Sequence, residues 1–285
     1  MKFGIMFANA GPFADPALFA HLVTTAEAAG IESIWTVEHV IVPRGYQSTY
    51  PYAPDGKMPM PENAPIPDPF VALSYAAALT KKIRLATGVL ILPQRHPFYV
   101  AKEVASLDVL SGGRVTLGVG VGWLREEFDA LGIGFDDRAL RTRESVEAMR
   151  SLWSDGPSSF HGKHFSWNEV ESNPKPVQGA KVPIVVGGHT DLAAKRAARY
   201  GDGFFPGRGS MNRLQGLLDV MKGECAKVGR DASAIELTGG LMVPDADTIA
   251  RHEELGFSRL VMAPPGFDRD AISRGFDSFA SAFLR

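Results

Sequence analysis

Short apolar, β-rich runs alternate with longer amphipathic ones from one end of the chain to the other. The runs near 2–8, 32–37, 83–91, 114–119, 183–186, 203–206, 235–242 and 258–262 read as strands. Several are apolar on both faces, such as Pro183-Ile184-Val185-Val186, the pattern of parallel strands covered on both sides. Helices fill the gaps. Asp15-Pro16 sets a capping carboxylate before a proline at the first helical position, and Asp68-Pro69 repeats the device. Leu18, Phe19, Leu22, Val23 and Ala26 then make one face, and Gly30 stops the helix. The last helix carries Phe276, Phe279 and Phe283 on one side.

Eight strand–helix units predict a closed (β/α)8 TIM barrel of the α/β class, one domain over residues 1–285. A doubly wound open sheet would ask for a glycine fingerprint after the first strand, and the turn Asn9-Ala10-Gly11-Pro12-Phe13 has none. Two connections are too long for plain turns. Residues 43–67, after the second strand, hold seven prolines with Tyr46, Tyr50 and Tyr52, and few regularly spaced apolar residues to anchor them. They predict a mobile lid over the site. Residues 154–182, before the fifth strand, predict a short hairpin or irregular insertion around Phe160, Phe165 and Trp167.

Charge changes the picture by exclusion. With 30 basic and 32 acidic residues, the net charge of -2 gives no electrostatic reason to expect nucleic acid or an anionic membrane as partner. No run reaches the roughly 18 apolar residues that span a bilayer. The first residues read as a buried strand with no signal-peptide pattern, so the expected location is the cytoplasm. Cys225 is the single cysteine, which excludes an internal disulfide and a thiolate cage; its helical neighbours make it a core residue. His161 and His164 have metal-ligand spacing but no third ligand nearby, so no metal site is expected.

In such a barrel the chemistry sits where strands end. Those ends read Phe7-Ala8-Asn9, Glu38-His39, Gly88-Val89-Leu90-Ile91, Gly120-Val121-Gly122-Trp123, Gly187-Gly188-His189, Pro206-Gly207-Arg208, Leu241-Met242 and Met262-Ala263-Pro264. No lysine is there for a Schiff base, and Glu38 is the lone carboxylate, so paired-acid glycosidase chemistry and a magnesium cluster lack their groups. Glycines and apolar groups abound, the profile of a site whose reactivity comes from an organic cofactor. His39 suits proton transfer near neutral pH, although a packed histidine is an equally good account. Gly187-Gly188, before a helix opening at Thr190-Asp191, suits an anion, although a tight turn explains it as well. Gly118-x-Gly120-x-Gly122 fails the dinucleotide pattern and reads as a flat backbone surface for a planar ring. Ser111-Gly112-Gly113-Arg114 reads as a helix stop and a strand start.

These residues resemble the bacterial luciferase-like monooxygenase superfamily over nearly the full length. The marks are Gly30-Ile-Glu-Ser-Ile-Trp-Thr-Val-Glu-His39 and Ile83-Arg-Leu-Ala-Thr-Gly-Val-Leu-Ile-Leu-Pro-Gln-Arg-His-Pro97. They continue with Leu107-Asp-Val-Leu-Ser-Gly-Gly-Arg114, Gly118-Val-Gly-Val-Gly-Trp-Leu-Arg-Glu-Glu-Phe128, Lys175-Pro-Val-Gln178 and Val186-Gly-Gly188. The resemblance implies FMN or the deazaflavin coenzyme F420 at the barrel mouth, a small-molecule substrate and a homodimer. Its deazaflavin branch implies a catalytic His39 and a cofactor contact at Glu38. It further implies a cis-peptide bulge at Gly88-Val89 behind the ring with Ile91 close by, contacts at Val121 and Gly122, and a phosphate cradle at Gly187, Gly188 and Thr190. The F420 tail is then expected to run outward past Arg208. Two positions depart from the deazaflavin sugar-phosphate dehydrogenases: Pro43 stands where they carry tryptophan, and Trp123 where they carry an acid. Both argue against a sugar phosphate. The expected activity is F420-dependent hydride transfer with a small or medium apolar organic molecule. The alternatives are an FMN-dependent monooxygenase and a non-catalytic flavin-binding protein.

Overall fold

Both proline-led helix starts form as their residues require. In the computed structural model, which describes residues 1–207 and 209–284, strand β1 (Lys2–Met6) leads to helix α1 (Pro16–Ala29). The Asp15 carboxylate accepts from the Leu18 N–H at 2.8 Å, and Gly30 ends the helix in the left-handed region at φ 90°. After β2 (Ser33–Thr36), Asp68 caps α2 (Pro69–Leu79) by accepting from the N–H groups of Phe70 and Val71.

The third expected strand divides. Strand β3 (Arg84–Thr87) breaks at the Gly88–Val89 peptide, which is cis, and the chain resumes as the short β4 (Leu90–Ile91). Then follow α3 (Pro97–Ser111), β5 (Val115–Gly120), α4 (Arg125–Ala130) and α5 (Arg138–Trp153). The insertion before the fifth barrel strand is an antiparallel hairpin, β6 (Ser158–His161) with β7 (Ser166–Val170). The remaining elements are β8 (Ile184–Gly187), α6 (Asp191–Tyr200), β9 (Gly203–Gly207), α7 (Met211–Val228), β10 (Glu236–Leu241), α8 (Ala246–Glu254), β11 (Arg259–Met262) and α9 (Arg269–Phe283).

Outside the hairpin every strand pairing is parallel, and the ring closes because β1 pairs with both β2 and β11 while β3 pairs with both β2 and β5. Helices lie between successive strands, giving the (β/α)8 barrel. Its interior holds Trp35, Ala86, Val185, Phe205 and Val261, all buried. The Trp35 indole donates to Ser33 Oγ at 2.8 Å, and Gly4 leaves it room, since a Cβ there would fall 2.9 Å from the indole nitrogen. A second, larger core joins barrel to helices; Phe276 and Phe279 of α9 belong to it, with Phe3 edge-on to Phe279 at 5.0 Å, and so does the buried Cys225.

Several of the family-like stretches prove to be structural. Arg114 is buried and donates to the carbonyls of Ala77 and Thr80 at the end of α2, and to those of Ile83 and Ser111. Gln178 donates to Asp108 Oδ1 at 2.7 Å and to the Val115 carbonyl, and Lys175 donates to the carbonyls of Leu152 and Gly156. These contacts satisfy helix-end carbonyls and join the insertion to the base of the barrel.

Candidate active site

The predicted site residues come from four consecutive staves, β2, β3, β5 and β8, at their C-terminal ends. The bulge brings three of them together. Val89 projects between two neighbouring strands: a Cβ added to Gly120 would lie 2.6 Å from its Cγ2, and one added to Gly187 would lie 2.6 Å from its Cγ1. Gly118 faces the Thr87 carbonyl oxygen so closely that a Cβ would fall 1.9 Å from it. Gly118 and Gly120 therefore make room for the bulge, which corrects the expectation of a flat surface offered directly to a ring. Gly122, at φ 79°, packs against Ile91 and Phe128, and Val121 beside it is partly exposed.

His39 follows β2, its side chain 9% exposed. Asn9 holds the approach by accepting from the Val37 N–H at 2.8 Å and donating to the carbonyls of Val37 and Pro67. The ring Nδ1 lies 3.0 Å from Glu127 Oε2, and Glu127 Oε1 accepts from the N–H groups of Val40 at 2.7 Å and Ile41 at 3.3 Å. Glu127 is fully buried. Sequence reasoning passed over it. The signal was an acid on the apolar side of α4, three residues past Leu124 and beside Phe128, both of which are buried.

Glu38 is buried in the wall. Its Oε2 accepts from the Ile91 N–H at 2.6 Å and its Oε1 from Arg95 Nε at 2.8 Å and Nη2 at 2.5 Å. Burial pushes this carboxyl upward against the pull of Arg95. Both oxygens are thus engaged in joining the bulge to the N-cap of α2, because Arg95 also donates to Asp68.

The long loop after β2 is better anchored than its composition suggests. Glu126 accepts from the N–H groups of Gln47 and Ser48 and from Ser48 Oγ at 2.6 Å. Trp123 then gathers the loop's aromatics, with ring centres 5.1 Å from Tyr50 and 5.3 Å from Tyr46, and 5.7 Å from His39. Tyr52 continues the series to Tyr50 at 5.4 Å and to His189 at 6.4 Å. The prolines removed regular structure, but Glu126 of α4 and Trp123 just before it supplied anchors.

The residues at β8 fit a phosphate. Gly188 sits at φ 139°, and a Cβ there would strike Ala193 at 2.8 Å. Its own N–H is taken by the Phe205 carbonyl, and Thr190 caps α6 by accepting from the Ala193 N–H. The N–H groups of Asp191 and Leu192 have no partner among the described residues, so the helix start presents donors. Arg213 is a cation that sequence reasoning did not name; it donates to the His189 carbonyl and to Asp191, both at 3.2 Å. Arg208 lies outside the described residues.

One mouth of the parallel barrel thus gathers a buried histidine–carboxylate pair, a bulged strand and a helix start with donors unpaired among the described residues. The chain belongs to the luciferase-like monooxygenase family, whose model matches residues 1–275. It is an enzyme of the oxidoreductase and monooxygenase kind. An uncharacterized protein of Mycobacterium tuberculosis is 33% identical over 260 residues, 90% of this chain and 88% of that one. The FMNH2-dependent dimethylsulfone monooxygenase of Pseudomonas putida is 30% identical over 185 residues, 64% of this chain and half of that longer one. In fold, an F420-dependent secondary alcohol dehydrogenase solved with an F420–acetone adduct gives a TM-score of 0.78 at 20% identity, covering 99% of this chain and 98% of that one. Both cofactor types thus occur among its relatives and fold neighbours.

Proposed function

We propose that this chain is a coenzyme F420-dependent oxidoreductase acting on a small or medium apolar organic molecule. The observation that carries this is His39, held by Glu127 at the mouth beside a bulge and an anion-ready helix start. F420, when bound, supplies a two-electron hydride carrier. Gly187, Gly188 and Thr190 would hold its phosphate. Gly88, Val89 and Ile91 would back its ring, with Val121 and Gly122 at its side and Glu38 bracing the bulge. His39 would move the substrate's proton. An apolar substrate is supported by the exposed side chains past three strand ends: Phe7, Met242 and Phe267, beyond β1, β10 and β11, are 39%, 68% and 66% exposed. Phe7 stands at φ 61°, a backbone position costly for a bulky residue, where it opens the turn closed by the Ala10 N–H to Phe7 carbonyl bond.

A second reading, an FMN-dependent monooxygenase, is favoured by the relatedness to the dimethylsulfone enzyme. Fluorescence titration of apoprotein with both cofactors separates them. Micromolar binding of FMN with no detectable F420 binding overturns the first reading in favour of the second. The enzyme acts in the cytoplasm as a homodimer in this proposal. No helix among the described residues is long and apolar enough to cross a membrane. Helices α2 and α3 leave Val71, Tyr75, Tyr99 and Leu110 exposed, an apolar face suited to a second copy. Sedimentation as a monomer at micromolar concentration would remove the dimer from the proposal.

A further inference from the structure

Three donors converge on one buried carboxylate. Glu127 Oε1 takes the Val40 and Ile41 N–H groups, and Oε2 faces His39 Nδ1 at 3.0 Å. A carboxylate can only accept, so the proton shared with Oε2 resides on Nδ1. Nε2 of His39 has no hydrogen-bond partner among the described residues, and it is not one of the sealed-off, unpartnered polar atoms of the molecule. We propose that Glu127 is a positioning residue that fixes His39 as the Nδ1–H tautomer and leaves Nε2 as its proton acceptor. The functional part rests on His39 being the proton-transfer group.

The same geometry makes one substitution diagnostic. In Glu127→Gln the side chain keeps one acceptor oxygen. The two backbone N–H groups are held by the chain after β2, so that oxygen must serve them. The amide NH2 then faces Nδ1, which can meet it only as an acceptor. The ring proton moves to Nε2. An exchange of this kind beside the histidine of a serine-protease triad leaves the geometry intact and traps the wrong tautomer. A carboxylate that merely stapled the loop would not require any tautomer of His39.

Histidine-labelled 15N NMR reads this without substrate. Spectra are taken at about pH 9, above the ordinary imidazole range, with the His39 signals identified by their loss in His39→Gln. The wild type is expected to show a protonated Nδ1 and an unprotonated Nε2, and Glu127→Gln the reverse. Glu127→Asp, which keeps a carboxylate, is expected to retain the wild-type pattern. A wild-type His39 protonated at Nε2 overturns the proposal, and so does a folded Glu127→Gln variant with an unchanged tautomer. Should Glu127→Gln fail to fold, the wild-type spectrum alone still decides. With a substrate in hand, Glu127→Gln is expected to lower kcat by about 10²-fold or more with little change in cofactor Kd. If His39→Ala leaves turnover unchanged, the acid–base reading of His39 falls while the tautomer result stands.

Discussion

Placing alanine at Gly120 tests whether the bulge and the glycines around it form one packed unit. The new Cβ would sit 2.6 Å from Val89 Cγ2, against the roughly 3.5–4.0 Å at which carbon atoms make favourable contact. Val89 must therefore retreat by about 1 Å. It has little freedom to do so, because Cγ1 already faces Gly187, where a Cβ would stand just as close. Overpacking of this kind costs about 1–3 kcal/mol. A loss of about 2 kcal/mol lowers the thermal midpoint by roughly 3 °C in a chain of 285 residues. Val89→Ala removes both methyls, so the double variant Gly120→Ala with Val89→Ala should recover most of the loss. The resulting coupling of about 1–2 kcal/mol lies well above the 0.3–0.5 kcal/mol or so within which independent sites add. Gly216→Ala is the control. Gly216 lies inside α7 with nothing within 4 Å of a built Cβ, and alanine there should stabilise by about 0.4–1 kcal/mol. Thermal unfolding of the four variants and the wild type, followed by circular dichroism, supplies the comparison. Strict additivity in the cycle, or a Gly120→Ala variant as stable as Gly216→Ala, would refute the packing argument.

Two further outcomes are expected. His39→Ala should lower turnover about 10²–10⁴-fold while cofactor affinity changes little, as read by steady-state kinetics beside a binding titration. The Glu126 carboxyl is pulled down to about 2, first by the Ser48 hydroxyl and then by the N–H groups of Gln47 and Ser48, so its stabilising effect is present above the ordinary value of 4.5 and lost as pH falls through 2. Ser48→Ala should therefore lower the thermal midpoint more at pH 7 than below pH 2, where only the loss of the Arg125 N–H to Ser48 Oγ bond remains; a difference of equal size at both pH values would contradict this.

Much of the fold was legible because it rests on local physics. Alternating apolar periods set eight parallel strands and their helices, and Asp15-Pro16 and Asp68-Pro69 marked helix starts through caps that act within three residues. Strand ends pointed to His39, Gly88-Val89 and Gly187-Gly188 because barrel topology gathers those ends at one mouth. The hairpin around Phe160 and Trp167 and the buried Cys225 followed from composition and periodicity in the same way. What periodicity could not contain was pairing across long separations. His39 and Glu127 are 88 residues apart, Glu38 and Arg95 are 57, and Ser48 of the long loop meets Glu126 across 78. A buried acid declares itself in sequence only as a charge on an apolar face; which donors it serves is decided when two strand ends close on each other. The glycines show the same division. Their spacing suggested a surface for a ligand, whereas the close approach of Thr87 and Val89 assigns Gly118 and Gly120 to the bulge itself. The sequence alone determined which elements form and which strand ends share one mouth, because caps and apolar periods act within a few residues. The tertiary structure alone decided which groups hold His39 and anchor the long loop after β2, because a buried polar group is stable only when distant chain segments bring it partners.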